Sequence, residues 1–214
     1  ILSKLFKIGY DIYLLDLLSE SRTNKLEKLL VTFFQNSIIG HALNVFCLEG
    51  VANYYSKYIN RDYVVLNHCL PDNIQIKNKS FEKDLISFAG QIHGTSLDAL
   101  QLLIKALGLG NKNIHLKIFS NLNKKLIRQY KLEGENVSFH FAKNYNELIN
   151  QLSQSSLLYS PVSFDSPYPD QANTCFPTKT FDYIIAGRPI FVHAPKDSHY
   201  TKYMRRYDLG FISN

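Results

Sequence analysis

From residue 83 onward, short apolar runs rich in β-formers alternate with segments of helical period, and that alternation leaves few folds open. "DLISFAG" (84–90) is a strand ending in glycine. "TSLDALQLLIKALGLG" (95–110) then holds Leu97, Leu100, Leu103, Ile104 and Leu107 at helical spacing, with Thr95 and Asp98 as a capping box and Gly108 or Gly110 as the stop. "IHLKIFS" (114–120), "VSFHFA" (137–142) and "LLYSPVSF" (157–164) read as strands. "KKLIRQYKLE" (124–133) and "YNELINQLSQ" (145–154) read as helices, the second with Asn144 as N-cap and Tyr145, Leu148, Ile149 and Leu152 on one stripe. A further strand at 189–195, a helix at 198–209 and a strand at 210–213 close the series. Parallel neighbours need a crossover, so strands separated by helices of this length build βαβ units. Right-handed crossovers put helices on both faces. The fold class is therefore α/β, with a Rossmann-like parallel sheet. Ligands of such sheets sit at the carboxyl ends of the strands, here the loops after Ala89, Phe119, Phe141 and Phe164.

The first part has the same grammar in a looser form. Residues 10–18, 42–49 and 62–69 read as strands, and 25–39 and 50–59 as helices. Residues 70–84 are polar and aperiodic. Two domains are expected: 1–75 as the end of one α/β unit, and 76–214 as a second, truncated or nearly whole. The chain opens on Ile1 and its only methionine is Met204, so it is expected to be cut or processed from something longer.

Composition narrows function by exclusion. With 45% hydrophobic and 20% charged residues the chain is globular. No apolar run reaches the ~18 residues of a membrane-spanning helix, and Lys4, Lys7, Asp11 and Asp16 interrupt 1–19 as they would not interrupt a signal peptide. The net charge is +6, but the cations are scattered and no basic-aromatic motif for nucleic acid appears. A phosphorylated small ligand or an anionic membrane surface suits such a spread. Cys47, Cys69 and Cys175 show neither metal spacing nor a paired framework, which fits a reducing cytoplasm. No Ser-His-Asp order, HExxH, CxxC, Walker A or strong GxGxxG pattern is present, so a plain NAD enzyme is disfavoured.

The stretch "FPTKTFDYIIAGRP" (176–189) carries the chemistry. Pro177 suits a first helical position, Gly187 a left-handed stop, and Pro189 bars continuation. Phe181, Ile184 and Ile185 would face the core, and Thr178, Lys179 and Asp182 another side, about 5 Å of rise apart. A helix start favours phosphate. Lys179 adds a cation and Thr178 a hydroxyl, while Asp182, one turn deeper, can accept the hydroxyls of a ribose. A nucleoside diphosphate lying along the helix would use all of them. The plainer alternative is an exposed ion pair worth about 0.2–0.5 kcal/mol.

"PTKTFDYIIAGRP" resembles the donor-binding helix of GT-B glycosyltransferases, especially the bacterial family-4-like enzymes. Many of these read proline, serine or threonine, lysine, two variable residues, an acidic residue and tyrosine, then a closing Gly-x-Pro. "LISFAGQIHG", "VSFHFAKNYNELINQLSQSSLLYSPVSF" and "VFCLEGVANYYSKYINRDYVVLNHCLPDN" extend the likeness over most of the chain. The resemblance implies a GT-B layout in which Asp182 binds the ribose and Lys179, beside Thr178, meets the diphosphate, Gly90 and Gln91 lie in the first loop, where a basic group for the phosphates is either His93 or absent, Ala142 and Lys143 line the base pocket, and Thr174, preceded by Asn173, holds the place of the family's sugar-contacting residue. Three places depart from the pattern. Thr174 stands where many members carry a glutamate, Gln91 where many carry an arginine, and "KIFSN" where a glycine-rich turn is common.

The function that the resemblance implies is that of a hexosyl-type glycosyltransferase, metal-independent and retaining. It would move sugar from a nucleotide-diphosphate sugar, its substrate, to a saccharide or lipid-linked acceptor in bacterial polysaccharide or glycan biosynthesis. No cofactor, metal or nucleic acid is implied. The expected location is the cytoplasm, with peripheral contact at the inner membrane face. No catalytic base is assigned. Two alternatives stay open: a non-catalytic GT-B-like partner subunit, and a sugar-nucleotide epimerase of the same layout. Other residues have plain readings. His140 is a strand residue, Lys202, Arg205 and Arg206 form a solvated helix face, and the polar loop 163–174, with Asp165 and Asp170, is a flexible lid candidate.

Overall fold

The structure, a computed structural model, describes residues 9–22, 24–70, 80–110 and 113–214. Most of the aperiodic segment expected between the domains (71–79) lies outside the described residues. The chain divides into two units, one of residues 1–68 with 167–176, the other of 69–166 with 177–214.

The first unit is a parallel sheet of β1 (Ile12–Leu14), β2 (Val45–Cys47) and β3 (Val64–Val65), in that order. The strands are shorter than their sequence patterns because pairing covers only two or three residues. Helix α1 (Lys25–His41) starts where Asn24 accepts hydrogen bonds from the Leu26 and Glu27 amides. At its other end the Arg61 guanidinium donates to the carbonyls of Ile39, Ala42 and Leu43. Helix α2 (Glu49–Tyr55) comes after β2, and its Val51, Ala52 and Tyr55 pack with Leu17, Ile39, Val45 and Cys47 into the core. Helix α1 buries Gln35 and Ile39 and leaves Leu26, Leu29, Leu30, Phe33, Phe34 and Ile38 exposed on its outer side.

The second unit carries six parallel strands: β4 (Glu82–Ala89), β5 (His115–Phe119), β6 (Val137–His140), β7 (Ser155–Pro161), β8 (Ile190–His193) and β9 (Phe211–Ser213). Their order is β6-β5-β4-β7-β8-β9. The direction of winding reverses at β4, which puts a topological switch point between β4 and β7. Helices α3 (Leu97–Leu109), α4 (Lys124–Gln129), α5 (Tyr145–Leu152), α7 (Lys179–Ala186) and α8 (His199–Arg206) make the crossovers. Leu100, Leu103, Ile104 and Leu107 of α3 pack on Phe88, Leu116, Ile118 and Tyr159, as the helical spacing requires. The short α6 (Pro169–Thr174) groups with the first unit and packs on α2.

Several local expectations change. The capping box at Thr95 does not form. Ser96 is the N-cap but its side chain caps no helix amide, and the Asp98 carboxylate instead accepts the amides of Phe164 (2.7 Å) and Asp165 (2.9 Å). Residues 169–174, expected as part of a polar loop, are helical, with Pro169 at the helix start. Helix α7 begins at Lys179 with Thr178 as N-cap, so Pro177 precedes it. There the Pro177 carbonyl accepts from the Thr180 amide (3.0 Å) and hydroxyl (2.7 Å) in a tight first turn. The face α7 buries is Thr180, Tyr183 and Ala186, while Phe181, Ile184 and Ile185 are half-buried. The hydroxyls that side carries all find partners. Thr180 meets Tyr200, which donates to Ser160, and Tyr183 bridges two strands. At the other end Gly187 is left-handed, at φ 68°, as its place in the sequence predicts.

Candidate functional site

The site begins where the β4–β7 ladder ends. The paired register runs to Ser87 opposite Leu158. Just beyond it, the fully buried Tyr183 inserts its hydroxyl, accepting from the Ala89 amide at 3.0 Å and donating to the Tyr159 carbonyl at 3.0 Å. One side chain of α7 thus satisfies the backbone of both strands at the switch point and pins the helix there.

That anchoring sets the position of Lys179, one turn earlier. Its ammonium lies 4.1 Å from the centre of the buried Phe88 ring. It also lies beside Gly90, where a Cβ would come within 3.4 Å of both Lys179 Cε and Nζ. Gly90 has φ +133°, a conformation that favours glycine, and its amide donates to the Phe119 carbonyl. The loop after β4 therefore turns sharply under the lysine.

Gly90 and Gln91 line one side of a groove of about 230 Å³. Phe119 at the end of β5, Ser120 and Asn121 after it, Phe141 and Ala142 after β6, and Leu148 of α5 complete it. Three of the four loops expected to meet a ligand converge here. Phe141 is 73% exposed, so an aromatic face is offered at the mouth. The groove is smaller than the ~300–1,000 Å³ of drug-sized pockets, and suits one planar heterocycle more than a whole nucleotide sugar.

Asp182 completes the arrangement. Its Oδ1 accepts the Tyr145 hydroxyl at 2.9 Å. Burial pushes the Asp182 carboxyl above the usual range, and the Tyr145 hydrogen bond pulls against it. Burial, the hydrogen bond to Asp182 and its charge together push the Tyr145 phenol up to about 12. Tyr145 holds its place because α5 has a braced start: Asn144 Oδ1 accepts the Glu147 amide, and Glu147 Oε2 accepts the Lys143 amide, both at 2.9 Å.

The expected site residues thus fall into groups. Gly90, Lys179 and Phe88 meet, Gln91 and Ala142 line the same groove, and Asp182 stands one turn along α7. Thr178 is exposed, and its hydroxyl caps nothing. Lys143 is exposed beside the groove residue Ala142. His93 is engaged in its own turn, where Nδ1 accepts the Thr95 amide (3.4 Å) and lies 2.9 Å from the Thr95 hydroxyl. Asn173 and Thr174 lie in α6, in the first unit. The Thr174 hydroxyl is spent on its own helix, 2.8 Å from the Asp170 carbonyl.

Two residues of this region have no mark in the sequence. Tyr145 reads as part of an apolar stripe, and nothing local signals its tie to a residue 37 positions on. His193, at the carboxyl end of β8, reads as a strand residue. Tyr159 donates its one hydroxyl proton to the Ala99 carbonyl at 2.8 Å, so His193 Nδ1, 2.7 Å from the same oxygen, is the donor there. The neutral ring then carries its lone pair on Nε2. Burial holds this imidazole below its usual pKa, against the opposing charge of Asp98.

These two α/β units, the second with a doubly wound sheet of Rossmann order, have the fold of GT-B glycosyltransferases. Among solved structures, TarM is similar over 89% of this chain and 36% of its own, with a TM-score of 0.58 at 12% identity. The GtfA/B complex is similar over 84% of this chain and 35% of that one, with a TM-score of 0.55 at 10% identity. A pneumococcal O-GlcNAc transferase, GtfA, in complex with UDP and GlcNAc, aligns over 76% of this chain and 32% of its own, with a TM-score of 0.49 at 12% identity. The chain spans about a third of the length of these structures. No family model matches the chain, and no curated protein matches it. Among the described residues no helix is long and apolar enough to cross a membrane.

Proposed function

We propose that this chain carries the nucleotide-sugar binding site of a GT-B glycosyltransferase. The base would enter the groove between Gln91, Asn121, Phe141 and Ala142. The ribose would meet Asp182, and the diphosphate would meet Lys179, Thr178 and the start of α7. The observation that carries this reading is the juxtaposition at Gly90. A residue of the groove wall lies against the lysine of α7, and a carboxylate stands one turn further along. Heterocycle, ribose and diphosphate need those three features within reach of one another.

In transfer, negative charge grows on the departing diphosphate. Lys179 and the helix start stabilise that charge where it develops, which lowers the barrier. Lys179 rests against an aromatic face and a glycine turn, so little rearrangement is needed when the phosphates arrive. The same reading takes a hexosyl donor, a saccharide or lipid-linked acceptor, retention without metal, and a role in polysaccharide or glycan synthesis at the cytoplasmic membrane face.

Saturation-transfer NMR with UDP-, GDP- and ADP-linked hexoses tests it. Strong transfer to base and ribose protons of one nucleotide supports the site. A folded protein giving no transfer to any of them removes it, and leaves a GT-B-like partner subunit as the better description.

A further inference from the structure

Asp182 could in principle offer both oxygens to a ribose. The structure gives it less freedom, because Oδ1 already accepts the Tyr145 hydroxyl at 2.9 Å. Among the described residues the carboxylate has no other hydrogen bond, so Oδ2 is the oxygen left for a ligand. Tyr145 is itself fixed from behind. It is the first residue of α5, between Asn144, which caps the helix, and Glu147, whose carboxylate reaches back to the Lys143 amide. Helix α5 also supplies Leu148 to the groove and packs against α7. The tyrosine therefore spans from the groove-bearing helix to the helix that carries Lys179 and Asp182.

We propose that Tyr145 is a positioning residue for ribose recognition: it holds Asp182 through Oδ1 so that Oδ2 is aimed before the nucleotide arrives. The inference rests on the nucleotide-sugar reading of this site. An aspartate free to rotate must be ordered on binding, and a carboxylate already held loses less freedom when it accepts the ribose hydroxyl. The hydrogen bond also favours the ionised form, which burial disfavours. Tyr145 is 51% exposed, so the core does not depend on its ring.

Calorimetry on wild type and Tyr145→Phe tests the proposal, using UDP, GDP and ADP and then the 2′,3′-dideoxy form of whichever binds. A thermal melt checks that the variant is folded. Tyr145→Phe is expected to bind the ribonucleotide roughly tenfold more weakly, the loss of one hydrogen bond to a charged group. It should bind the dideoxy form within about twofold of wild type, because Asp182 then has no ribose hydroxyl to meet. Equal losses on both ligands would overturn the proposal, since Tyr145 would then act on the base or the fold. An unchanged ribonucleotide affinity would overturn it as well while leaving the nucleotide site intact. A wild type that binds none of the three diphosphates removes the site and the proposal together. As a second arm, Tyr145→Phe in an Asp182→Ala background, where no acceptor is left for the phenol, should cost nothing further, and a full tenfold loss there would contradict the pairing.

Discussion

The ammonium of Lys179 lies 4.1 Å from the centre of the Phe88 ring, so the cation of the proposed site is held against the edge of the sheet core. Such a contact is worth about 0.5–2 kcal/mol depending on how dry it is. Phe88→Leu should therefore cost about 1–2 kcal/mol of stability in urea unfolding, from lost packing and lost ring attraction. It should weaken diphosphate binding less than Lys179→Ala does, because the charge remains. A larger affinity loss in Phe88→Leu than in Lys179→Ala would contradict this division of roles.

Tyr183→Phe keeps the ring and removes the hydroxyl that joins the Ala89 amide to the Tyr159 carbonyl. The amide is then buried without its partner, at a cost of about 1–3 kcal/mol. Chemical denaturation should show that loss with an unchanged slope. A variant as stable as wild type would mean that the switch point closes by another route.

Legibility in the sequence depends on which forces act locally. Asn144 as the N-cap of α5 and Gly187 as the stop of α7 are readable, because a cap is decided within four residues. That the second sheet is parallel is readable from alternation alone, whereas its strand order is not. The buried face of α7 is not. Apolar character points to Phe181, Ile184 and Ile185. The helix instead buries Thr180 and Tyr183, whose hydroxyls meet Tyr200 and Tyr159, residues 20 and more positions away. The helix at Pro169–Thr174 is hidden for a related reason: "PDQANT" has no apolar period, and its packing on α2 is a long-range fact. Of the site, Lys179, Asp182, Gly90, Gln91 and Ala142 stand out in the sequence. The Tyr145 link and the His193–Tyr159 pair depend on tertiary contact and leave no signature there.

Gly90→Ala should strain the loop after β4, since φ +133° is a region an alanine enters at a cost of about 1–3 kcal/mol. The added methyl also presses on Lys179 Cε and Nζ. Diphosphate affinity should fall together with stability, whereas Gly108→Ala, on open helix surface, should leave both within error or raise stability slightly. Equal behaviour of the two variants would show that the turn under Lys179 is not constrained.

Two carboxylates should respond to pH in opposite senses. The Asp182 pKa is raised by burial, the Tyr145 bond opposing, so the folded state holds this proton more tightly than the unfolded chain. Stability from this residue is present at acid pH and declines as pH rises through the aspartate range toward the raised value. Asp182→Asn should accordingly raise the melting temperature at neutral pH, the gain shrinking below about pH 4, while weakening nucleotide binding. For Asp98, burial pushes upward but the hydrogen bonds it accepts, those of the Phe164 and Asp165 amides among them, win and lower the pKa. Its contribution is present above the ordinary aspartate pKa and is lost as pH falls. Asp98→Ala should cost about 1–2 kcal/mol at neutral pH and less in acid. Melting curves from pH 3 to 8 check both signs.

The most direct measurement is calorimetric titration of UDP, GDP, ADP and CMP into wild type and Lys179→Ala. The expected result is that one diphosphate binds and that Lys179→Ala loses about 1–3 kcal/mol of its affinity, as removal of a charge-assisted hydrogen bond should. A folded wild type that binds none of the four, or a Lys179→Ala variant that binds the diphosphate as well as wild type, would contradict the assignment of this helix to the phosphates.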